Sequence, residues 1–398
     1  MVLPLTDARG RASDPLEESA ERQQLRSTIS NLIESVSPTD RKLALDSDEQ
    51  FDDQLHKRLA ELGIMAIGAA ESDGGIGDLG DQAAVIEELA GGPTSMAVNM
   101  VVHYMGIHIL SSHGSAEQKD TWLQRLITGD AKFTFALTEP AAGTDIARAM
   151  KTRASRTPTG WIINGQKTWI SGAARADVLV VIARTDSDSS NGVDGITMFL
   201  VPADTVGIGI RELPTMAVHG LDTCEVFFDD VEVPDTAVIG STDQGFRLLL
   251  DTLNRERINA AAGALGAANA ALVYAINYAS ERQAFGTSIG AFQAVQHRLV
   301  DGSIAVESAR GVLARAIAVE TAGGRADLLS SMAKVACSEA ATKVTQDGME
   351  ILGGAGFSRE IPMQQWFRDV RLWVFAPLAN DMVRNYLGNR YLGLPKSF

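Results

Sequence analysis

The sequence predicts an α+β protein in three parts: helical, then β-rich, then helical again. Two observations predict this fold class. Near both ends of the chain, apolar residues recur three and four positions apart, which is typical of helices that pack on a core. Between these regions the apolar period falls to two and turn residues become frequent, which is typical of strands. We place the three domains at residues 1–132, 133–240 and 241–398.

The first part contains helical segments that end at glycine. They are FDDQLHKRLAELGI, QAAVIEELAGG and SAEQKDTWLQRLITGD. Ser115 is the predicted N-cap of the last one, because a serine hydroxyl accepts a hydrogen bond from the first helical turn. A GxGxxG match at Gly75, Gly77 and Gly80 lies in an acidic stretch with no βαβ series after it. We therefore interpret it as the loop before a helix and not as a dinucleotide site.

The middle part is predicted to be a small barrel or sandwich. TGWIINGQKTWISGAA contains a TG and an NG turn, and three further segments have the composition of strands: ADVLVVIART, GITMFLVP and CEVFFDDVEVP. The polar segment DSDSSNGVDG is predicted to be a loop between strands.

The third part contains three long helical segments, enough for a bundle of three or four antiparallel helices. They are FRLLLDTLNRERINAAAGALGAANAALVYAINYAS, FQAVQHRLVDGSIAVESARGVLARAIAVETA and LLSSMAKVACSEAATKVTQDGMEILGG. Residues 258–280 are uncharged over a length that could span a bilayer. Because alanine, glycine and asparagine make this stretch weakly apolar, we expect a buried central helix and no membrane segment.

Composition excludes several classes of protein. Hydrophobic residues at 45% and charged residues at 21% are ordinary globular values, and a net charge of −15 disfavours nucleic acid and anionic membranes. The two cysteines form no CxxC pair, the N-terminus has no secretory pattern, and we expect a cytoplasmic protein. No HExxH, GxSxG, Walker or metal-ligand pattern occurs, which disfavours a bound metal, triad hydrolysis and phosphoryl transfer.

Two of the next three segments have both a functional and a structural interpretation, and the third, taken alone, has a structural one. FTFALTEPAAGTD can present backbone amides and a hydroxyl to a flat polar ring, or be an ordinary strand end. In ERQAFGTSIGAFQ, Arg282 can pair with a diphosphate while Phe285 packs on an adenine or sugar, or the two can be a solvated cation and a core aromatic. In EILGGAGF the glycines can simply end a helix.

Taken together, these segments resemble the acyl-CoA dehydrogenase flavoprotein family. FALTEPAAGTD, NGQKTWIS, LNRERINAAAGALG, ERQAFGTSIGAFQ, GMEILGGAGF and FRDVRL occur in the family's order and spacing over nearly the whole chain. The resemblance implies an N-terminal helical domain, a central β-barrel and a C-terminal four-helix bundle. It also implies a homotetramer, a dimer of dimers, that oxidises acyl-CoA with FAD and passes electrons to an electron-transfer flavoprotein, in fatty acid or branched-chain acyl metabolism.

The same resemblance implies which residues hold FAD. One set would contact the flavin ring or its ribityl chain: Phe135, Leu137, Thr138, Thr144, Trp169, Ile170 and Ser171. A second set, from a neighbouring subunit, would hold the diphosphate and adenosine: Arg282, Phe285, Gln293, Glu350, Gly353 and Gly354. Thr144 would also border the substrate.

The resemblance leaves two positions for the base that removes the substrate's α-proton. Many members carry it in a Glu-Gly-Thr segment, where this chain has Pro377, Leu378 and Ala379. Isovaleryl-type and long-chain-type members carry it on a bundle helix just before an arginine. In this sequence the residue at that position is Glu256. We expect Glu256 to be the base, since a buried carboxyl is a stronger base, with Asn254 and Arg257 near the thioester or pantetheine. A surface charge in the RER triplet is the structural alternative.

Proline at 377 has no N–H to bind the thioester oxygen, although the family uses a backbone N–H there. The Leu378 N–H would then donate to the thioester oxygen in its place, or a ribityl hydroxyl of FAD would contribute more to binding that oxygen. Two other functions stay open on the same fold. One is a flavin monooxygenase or oxidase, and the other is a catalytically degenerate partner subunit of a heterotetramer.

Overall fold

The computed structural model describes residues 18–186 and 193–396. Residues 187–192, most of the predicted loop DSDSSNGVDG, lie outside this part of the chain, as do residues 1–17. The helices are α1 (Ala20–Val36), α2 (Thr39–Ser47), α3 (Asp53–Glu61), α4 (Leu79–Gly91), α5 (Thr94–His113), α6 (Ala116–Gln118), α7 (Gln124–Thr128), α8 (Ile146–Ala149), α9 (Gly245–Glu281), α10 (Gln293–Thr321), α11 (Asp327–Leu352), α12 (Met363–Asp369), α13 (Leu372–Phe375) and α14 (Asn380–Arg390). The strands are β1 (Phe133–Ala136), β2 (Arg153–Thr157), β3 (Gly160–Ser171), β4 (Val178–Arg184), β5 (Ile196–Pro202), β6 (Ile208–Glu212), β7 (Thr223–Pro234), β8 (Val238–Ile239), β9 (Gln283–Ala284) and β10 (Thr287–Ser288).

The first part of the chain is helical, as the apolar period predicts. Ser115 caps α6 through a reciprocal capping box with Gln118, which confirms the predicted N-cap. Gly77 lies in the loop before α4, whose N-cap is Asp78. The GxGxxG match is therefore a helix entrance, and its last glycine, Gly80, is in the first turn of α4.

The middle part forms one curled sheet of eight strands in the order β6-β7-β3-β2-β4-β5-β8, with β1 pairing in parallel with β4. Side chains from β3 and β7 meet side chains from β4 and β5 in a single apolar cluster. The rings of Trp161 on β3 and Phe199 on β5 lie 5.7 Å apart across it. The outer face of β4 and β5 packs against α5 and α7.

The predicted NG turn at Asn164 and Gly165 is wrong. These residues lie inside β3, where the register with β7 shifts between Ile163 and Gly165, so they form a β-bulge in a continuous strand. Gly165 has φ 151°, and a Cβ there would stand 2.5 Å from Thr152 Oγ1. Glycine is required at this position because of both its backbone conformation and the close approach of Thr152.

The third part forms the expected bundle. Ala279 lies near Gly290 at the turn between α9 and α10, and Cys337 of α11 contacts Ala309 of α10, so neighbouring helices run antiparallel. The fourth helix, α14, is short and returns along α11 from Asn380, which bonds Ser338.

Helix α9 lies inside the protein. Among the described residues it is the one helix long and apolar enough to cross a membrane by length and composition, and 83% of its most apolar window is buried. Its small residues permit close packing: a Cβ on Gly266 would stand 2.0 Å from the carbonyl oxygen of Glu87 on α4. The N-terminal helices and the bundle thus share one apolar core along α9.

Candidate active site

The two segments expected to contact a flavin lie side by side at one end of the sheet. The Thr168 N–H donates to the carbonyl of Thr138 at 2.9 Å. The Thr134 hydroxyl donates to the carbonyl of Ser171 at 2.7 Å. The end of β1 is therefore held against the end of β3, and Phe135, Leu137 and Thr138 are half-buried at this junction.

The last side chains of β3 differ in exposure, at a point where the register with β7 shifts between Lys167 and Ile170. Trp169 has φ 61° and is 63% exposed, whereas Ile170 is buried in the sheet core, opposite Cys224. Any contact of Ile170 with a flavin is therefore through its backbone. Ser171 is half-buried, and Thr144 lies exposed in the loop before α8.

A buried ion pair fixes this corner. Lys167 Nζ lies 2.9 Å from Glu139 Oε1 and 2.9 Å from the Leu137 carbonyl oxygen, and both side chains are removed from solvent. Glu139 also accepts from the N–H groups of Lys151 and Thr152, at 2.6 and 2.9 Å. The loop from residue 137 to residue 152 is therefore tied to β3, which positions the strand end.

Glu256 lies on α9 and borders a cavity between α9, α4 and α5. Burial raises the pKa of its carboxyl group to about 7, while the adjacent Arg257 guanidinium acts to lower it. The lining residues are Gln82, Val101, Tyr104, Met105, His108, Thr252, Arg255, Glu256 and Asn259. Met105 also packs in the apolar cluster that contains Phe135 and Leu137, so the Glu256 cavity and the strand junction meet at α5.

Asn254 and Arg257 lie toward α11. The Arg257 guanidinium donates to Asn254 Oδ1 at 3.1 Å, and the Ser330 hydroxyl donates to the same oxygen at 3.4 Å. Asp327 and Tyr386, themselves bonded at 2.6 Å, lie close enough to Arg257 to favour its charge. Arg257 is thus shared among several partners and does not form a tight pair with Glu256.

Pro377 and Leu378 lie in the loop between α13 and α14, which one buried lysine holds. Lys334 Nζ donates to the carbonyls of Val374 and Leu378 at 3.0 and 2.6 Å, and to Asn380 Oδ1 at 2.6 Å. The Leu378 N–H has no hydrogen-bond partner among the described residues. The N–H missing at Pro377 is therefore followed directly by one that is free to donate.

The residues expected at the adenosine end lie elsewhere. Arg282 follows the last residue of α9, and from residue 256 to residue 282 the helical rise amounts to about 39 Å. Gln293, Glu350, Gly353 and Gly354 are exposed, and Phe285 is 97% exposed. Within one chain, the residues expected at the adenosine end are therefore far from Glu256.

Comparison with known proteins identifies the family. Models of the acyl-CoA dehydrogenase N-terminal, middle and C-terminal domains match residues 19–130, 134–231 and 243–390. The chain belongs to the acyl-CoA dehydrogenase family. It is an FAD-dependent oxidoreductase with the fold expected from the sequence.

Relatives in this family match over most of the length of this chain. Bos taurus mitochondrial short-chain specific acyl-CoA dehydrogenase is 36% identical over 82% of this chain and 80% of its own. Desulfococcus multivorans glutaryl-CoA dehydrogenase is 33% identical over 95% and 98%. A solved structure of PigA with FAD and proline has a TM-score of 0.90 at 27% identity and covers 95% of this chain and 99% of that one.

The residues of this chain fit FAD. An exposed indole at Trp169 and the half-buried Thr138 and Ser171 offer a flat surface and hydroxyl groups at the strand junction that is expected to contact a flavin ring. At the far end of α9, Arg282 is exposed, and a Cβ at Gly353 or Gly354 would meet nothing within 4 Å.

Glu350 is the least suitable member of the second set. Its carboxylate accepts from Arg298 and, at 2.7 Å, from Gln346, so its charge is matched within the chain. A carboxylate in this position can accept a hydrogen bond from an adenosine but cannot donate one to a diphosphate.

Sequence reasoning assigned no role to three side chains of this site. Arg255 appears in the RER triplet, Lys167 in NGQKTWIS and Lys334 in an apolar helical pattern. The only local signal is a lysine at a position whose neighbours predict burial, because a charged group is rarely buried without partners. The partners of Lys167 and Lys334 lie far away in the sequence and leave no pattern beside them.

Proposed function

We propose that this protein removes a hydrogen from each of the α- and β-carbons of an acyl-CoA thioester and forms a trans-2-enoyl-CoA. The observation that carries the proposal is the Glu256 carboxyl group, which has a pKa of about 7 and borders a cavity next to the flavin-binding strand junction. The names of the relatives, short-chain acyl-CoA and glutaryl-CoA dehydrogenases, support a short acyl group.

Glu256 is the proposed base. A carboxylate with a pKa near neutrality is about half ionised at pH 7 and is a stronger base than a solvated one. It takes the α-proton on a carboxylate oxygen, while the two electrons of the C–H bond form the new double bond. The β-hydrogen leaves with its own electron pair.

The thioester oxygen needs hydrogen-bond donors, because charge develops on it as the α-proton leaves. The free Leu378 N–H is one proposed donor, held in place by Lys334 through the carbonyl of the same residue. Asn254 and Arg257 lie on the α11 side of the site, where they can contact the thioester or the pantetheine.

FAD, when bound, supplies the acceptor for the β-hydrogen and its electron pair. Phe135, Leu137, Thr138, Thr144, Trp169, Ile170 and Ser171 would hold the flavin end. Because Arg282 lies about 39 Å along α9 from Glu256, we propose that a neighbouring subunit supplies the adenosine-end residues. We also propose that the protein is a homotetramer in the cytoplasm and that an electron-transfer flavoprotein accepts the electrons from the reduced FAD.

Anaerobic flavin reduction tests this function. Adding butyryl-CoA to the FAD-loaded protein is expected to bleach the flavin absorbance, and Glu256→Gln is expected to slow the bleaching at least about a hundredfold. FAD content stays unchanged, since Glu256 lies outside the proposed flavin contacts. Glu281→Gln, at the exposed end of the same helix, is the matched control and keeps the wild-type rate.

Two results would contradict the proposal. Full-speed bleaching in Glu256→Gln removes the base assignment. Rapid oxygen consumption by the reduced wild-type flavin indicates an oxidase or monooxygenase in place of a dehydrogenase.

A further inference from the structure

The cavity beside Glu256 is polar, although an alkyl chain is apolar. Val101 and Met105 are its two apolar lining side chains, and the other seven carry hydrogen-bonding or charged groups. Burying an alkyl chain against such groups removes them from water without replacing their hydrogen bonds. The volume is about 10 Å³, close to the space of one water molecule, so any acyl chain enters only when side chains of the wall move, and a long chain requires the largest movement.

Two buried polar atoms of the wall have no partner in the part of the chain the structure describes. They are Thr252 Oγ1 and Asn259 Oδ1, on residues that are 1% and 3% exposed. Buried polar atoms in folded proteins are nearly always hydrogen-bonded. The Asn259 amide nitrogen already bonds Gln82 Oε1 at 3.3 Å, which fixes the orientation of that side chain. The Thr252 hydroxyl can therefore donate a hydrogen bond that no other described residue takes, whereas Asn259 Oδ1 can only accept one.

Arg255 adds a positive charge to the same wall. Within the described residues its guanidinium makes no hydrogen bond and no ion pair within 4 Å, and burial lowers its pKa although Glu320 and Asp78 act at longer range to raise it. His108, on the opposite helix, has a pKa of about 3 because of burial and of Arg255, so it is neutral. No carboxylate of the described residues forms an ion pair with this cation within 4 Å, although Glu256 lines the same cavity.

We propose that this cavity binds the distal carboxylate of a short acyl chain, with Arg255 as its counter-ion and the Thr252 hydroxyl as a hydrogen-bond donor. The substrate class is then the CoA thioester of a short dicarboxylic acid. This inference rests on the proposed function, because the cavity receives the acyl chain only if the α-carbon lies at Glu256. Arginine suits the role, since its planar group pairs with a carboxylate through two parallel hydrogen bonds.

Matched acyl-CoA pairs test the inference. Each pair has the same chain length with and without the terminal carboxylate: succinyl-CoA against butyryl-CoA, and glutaryl-CoA against pentanoyl-CoA. For the FAD-loaded wild type, we expect kcat/KM for flavin reduction to be at least about tenfold higher with the carboxylated member than with the alkyl member in at least one of the two pairs. Arg255→Met is expected to remove this preference, measured as the ratio of kcat/KM between the two members of the pair. Arg315→Met, an exposed arginine on α10, is the control.

The outcomes separate this inference from the proposed function. Reduction by alkyl thioesters with no advantage for the carboxylated ones overturns the inference and leaves the proposed function intact. If no thioester reduces the flavin, the proposed function fails. The affinity of the FAD-loaded protein for glutaryl-CoA and for pentanoyl-CoA then tests the inference. Tighter binding of glutaryl-CoA than of pentanoyl-CoA, lost in Arg255→Met, supports the inference, and equal binding overturns it.

Discussion

Burial alone does not set the basicity of a carboxyl group in this protein; the number of close cations does. Glu256 and Glu87 are both withdrawn from water, which raises the pKa of each. Arg26 and Arg310 both pair with Glu87 and hold its pKa at about 2, whereas Glu256 has one arginine, shared with other groups, and its pKa is about 7. The same residue type is therefore a structural anion in one place and a candidate base in another.

The pH dependence of flavin reduction follows from this pKa. Only the ionised carboxylate accepts a proton, so kcat/KM is expected to rise with pH, to reach half its maximum near pH 7 and to fall about tenfold per unit well below it. Stopped-flow reduction between pH 5.5 and 9 at constant ionic strength measures it. Arg257→Gln removes the cation that lowers the pKa of Glu256, so its profile is expected to shift to higher pH. A flat profile from pH 6 to 8 would contradict the base assignment.

Much of the candidate site could be predicted from the sequence because its segments are contiguous. Glu256 and the strand ends at Phe135 and Trp169 could be located from short motifs. The polar wall of the cavity could not, since Gln82 and Asn259 approach each other only when α4 packs on α9. A contact between residues so far apart depends on the whole fold, and no local spacing encodes it.

At the scale of elements, the loop between α13 and α14 depends on one side chain. The chain after Ala376 has no helical hydrogen bonds until α14, and Lys334 supplies donors to two carbonyls and one amide there. Burial lowers the pKa of Lys334 to about 8, with Arg257 and Arg384 acting in the same direction. The lysine is therefore a positioning residue for Leu378.

Lys334→Met is expected to raise KM for the acyl-CoA and to lower kcat, because the freed loop no longer directs the Leu378 N–H. The maximum of the near-ultraviolet circular dichroism and the FAD content report whether the fold persists. Lys343→Met, on the exposed side of the same helix, is the control and keeps both constants. Unchanged kinetics in folded Lys334→Met would contradict the positioning role.

Two glycines in long helices are expected to respond oppositely to alanine. Gly266→Ala places a Cβ against the Glu87 carbonyl, a backbone atom that cannot turn away, so the variant is expected to lose about 1–3 kcal/mol of unfolding free energy. At Gly311 of α10 a Cβ meets nothing within 4 Å, so Gly311→Ala is expected to gain about 0.5–1 kcal/mol. Urea unfolding of both variants measures the difference, and a stabilised Gly266→Ala would show that α4 and α9 are not in close contact.

The elements differ in how well the sequence predicts them. Long helices such as α9, α10 and α11 follow from periodicity that repeats over many turns. The bulge at Gly165 does not, because Asn-Gly is equally suitable for a hairpin turn, and only the close approach of Thr152 distinguishes the two. Local turn chemistry is therefore ambiguous wherever a tertiary contact decides the backbone.

At the scale of the whole molecule, a charge network joins the first helical part to the bundle. Arg26 of α1 and Arg310 of α10 lie 2.9 and 2.8 Å from the two carboxylate oxygens of Glu87 on α4. The carboxylate is thus the common partner of two half-buried cations. Removing it leaves Arg310 without an ion-pair partner within 4 Å among the described residues, while Arg26 keeps Glu18 and Glu88. An uncompensated charge is costly in a protein interior.

Glu87→Gln is expected to lower the free energy of unfolding by about 3–5 kcal/mol, measured by urea denaturation at pH 7. The control Glu61→Gln breaks an exposed pair with Arg58 and is expected to cost at most about 1 kcal/mol. In the wild type the pKa of Glu87 falls from 4.5 to about 2 on folding. Its stabilisation is therefore complete above about pH 4.5 and is lost as the pH falls toward 2. Equal effects of the two substitutions would refute the network.

The length of α9 limits how this chain can diverge. The proposed base lies in its first half and the proposed diphosphate contact directly after its end, so one rigid rod sets their separation. Each residue inserted or deleted between them moves Arg282 by about 1.5 Å and turns it by about 100° around the axis. Point substitutions that keep the close packing at Gly266 and the site residues Arg257 and Asn259 can therefore accumulate between residues 257 and 281, while a single insertion would direct the arginine away from its cofactor. Descendants of this sequence should vary there in composition and keep the number of residues constant.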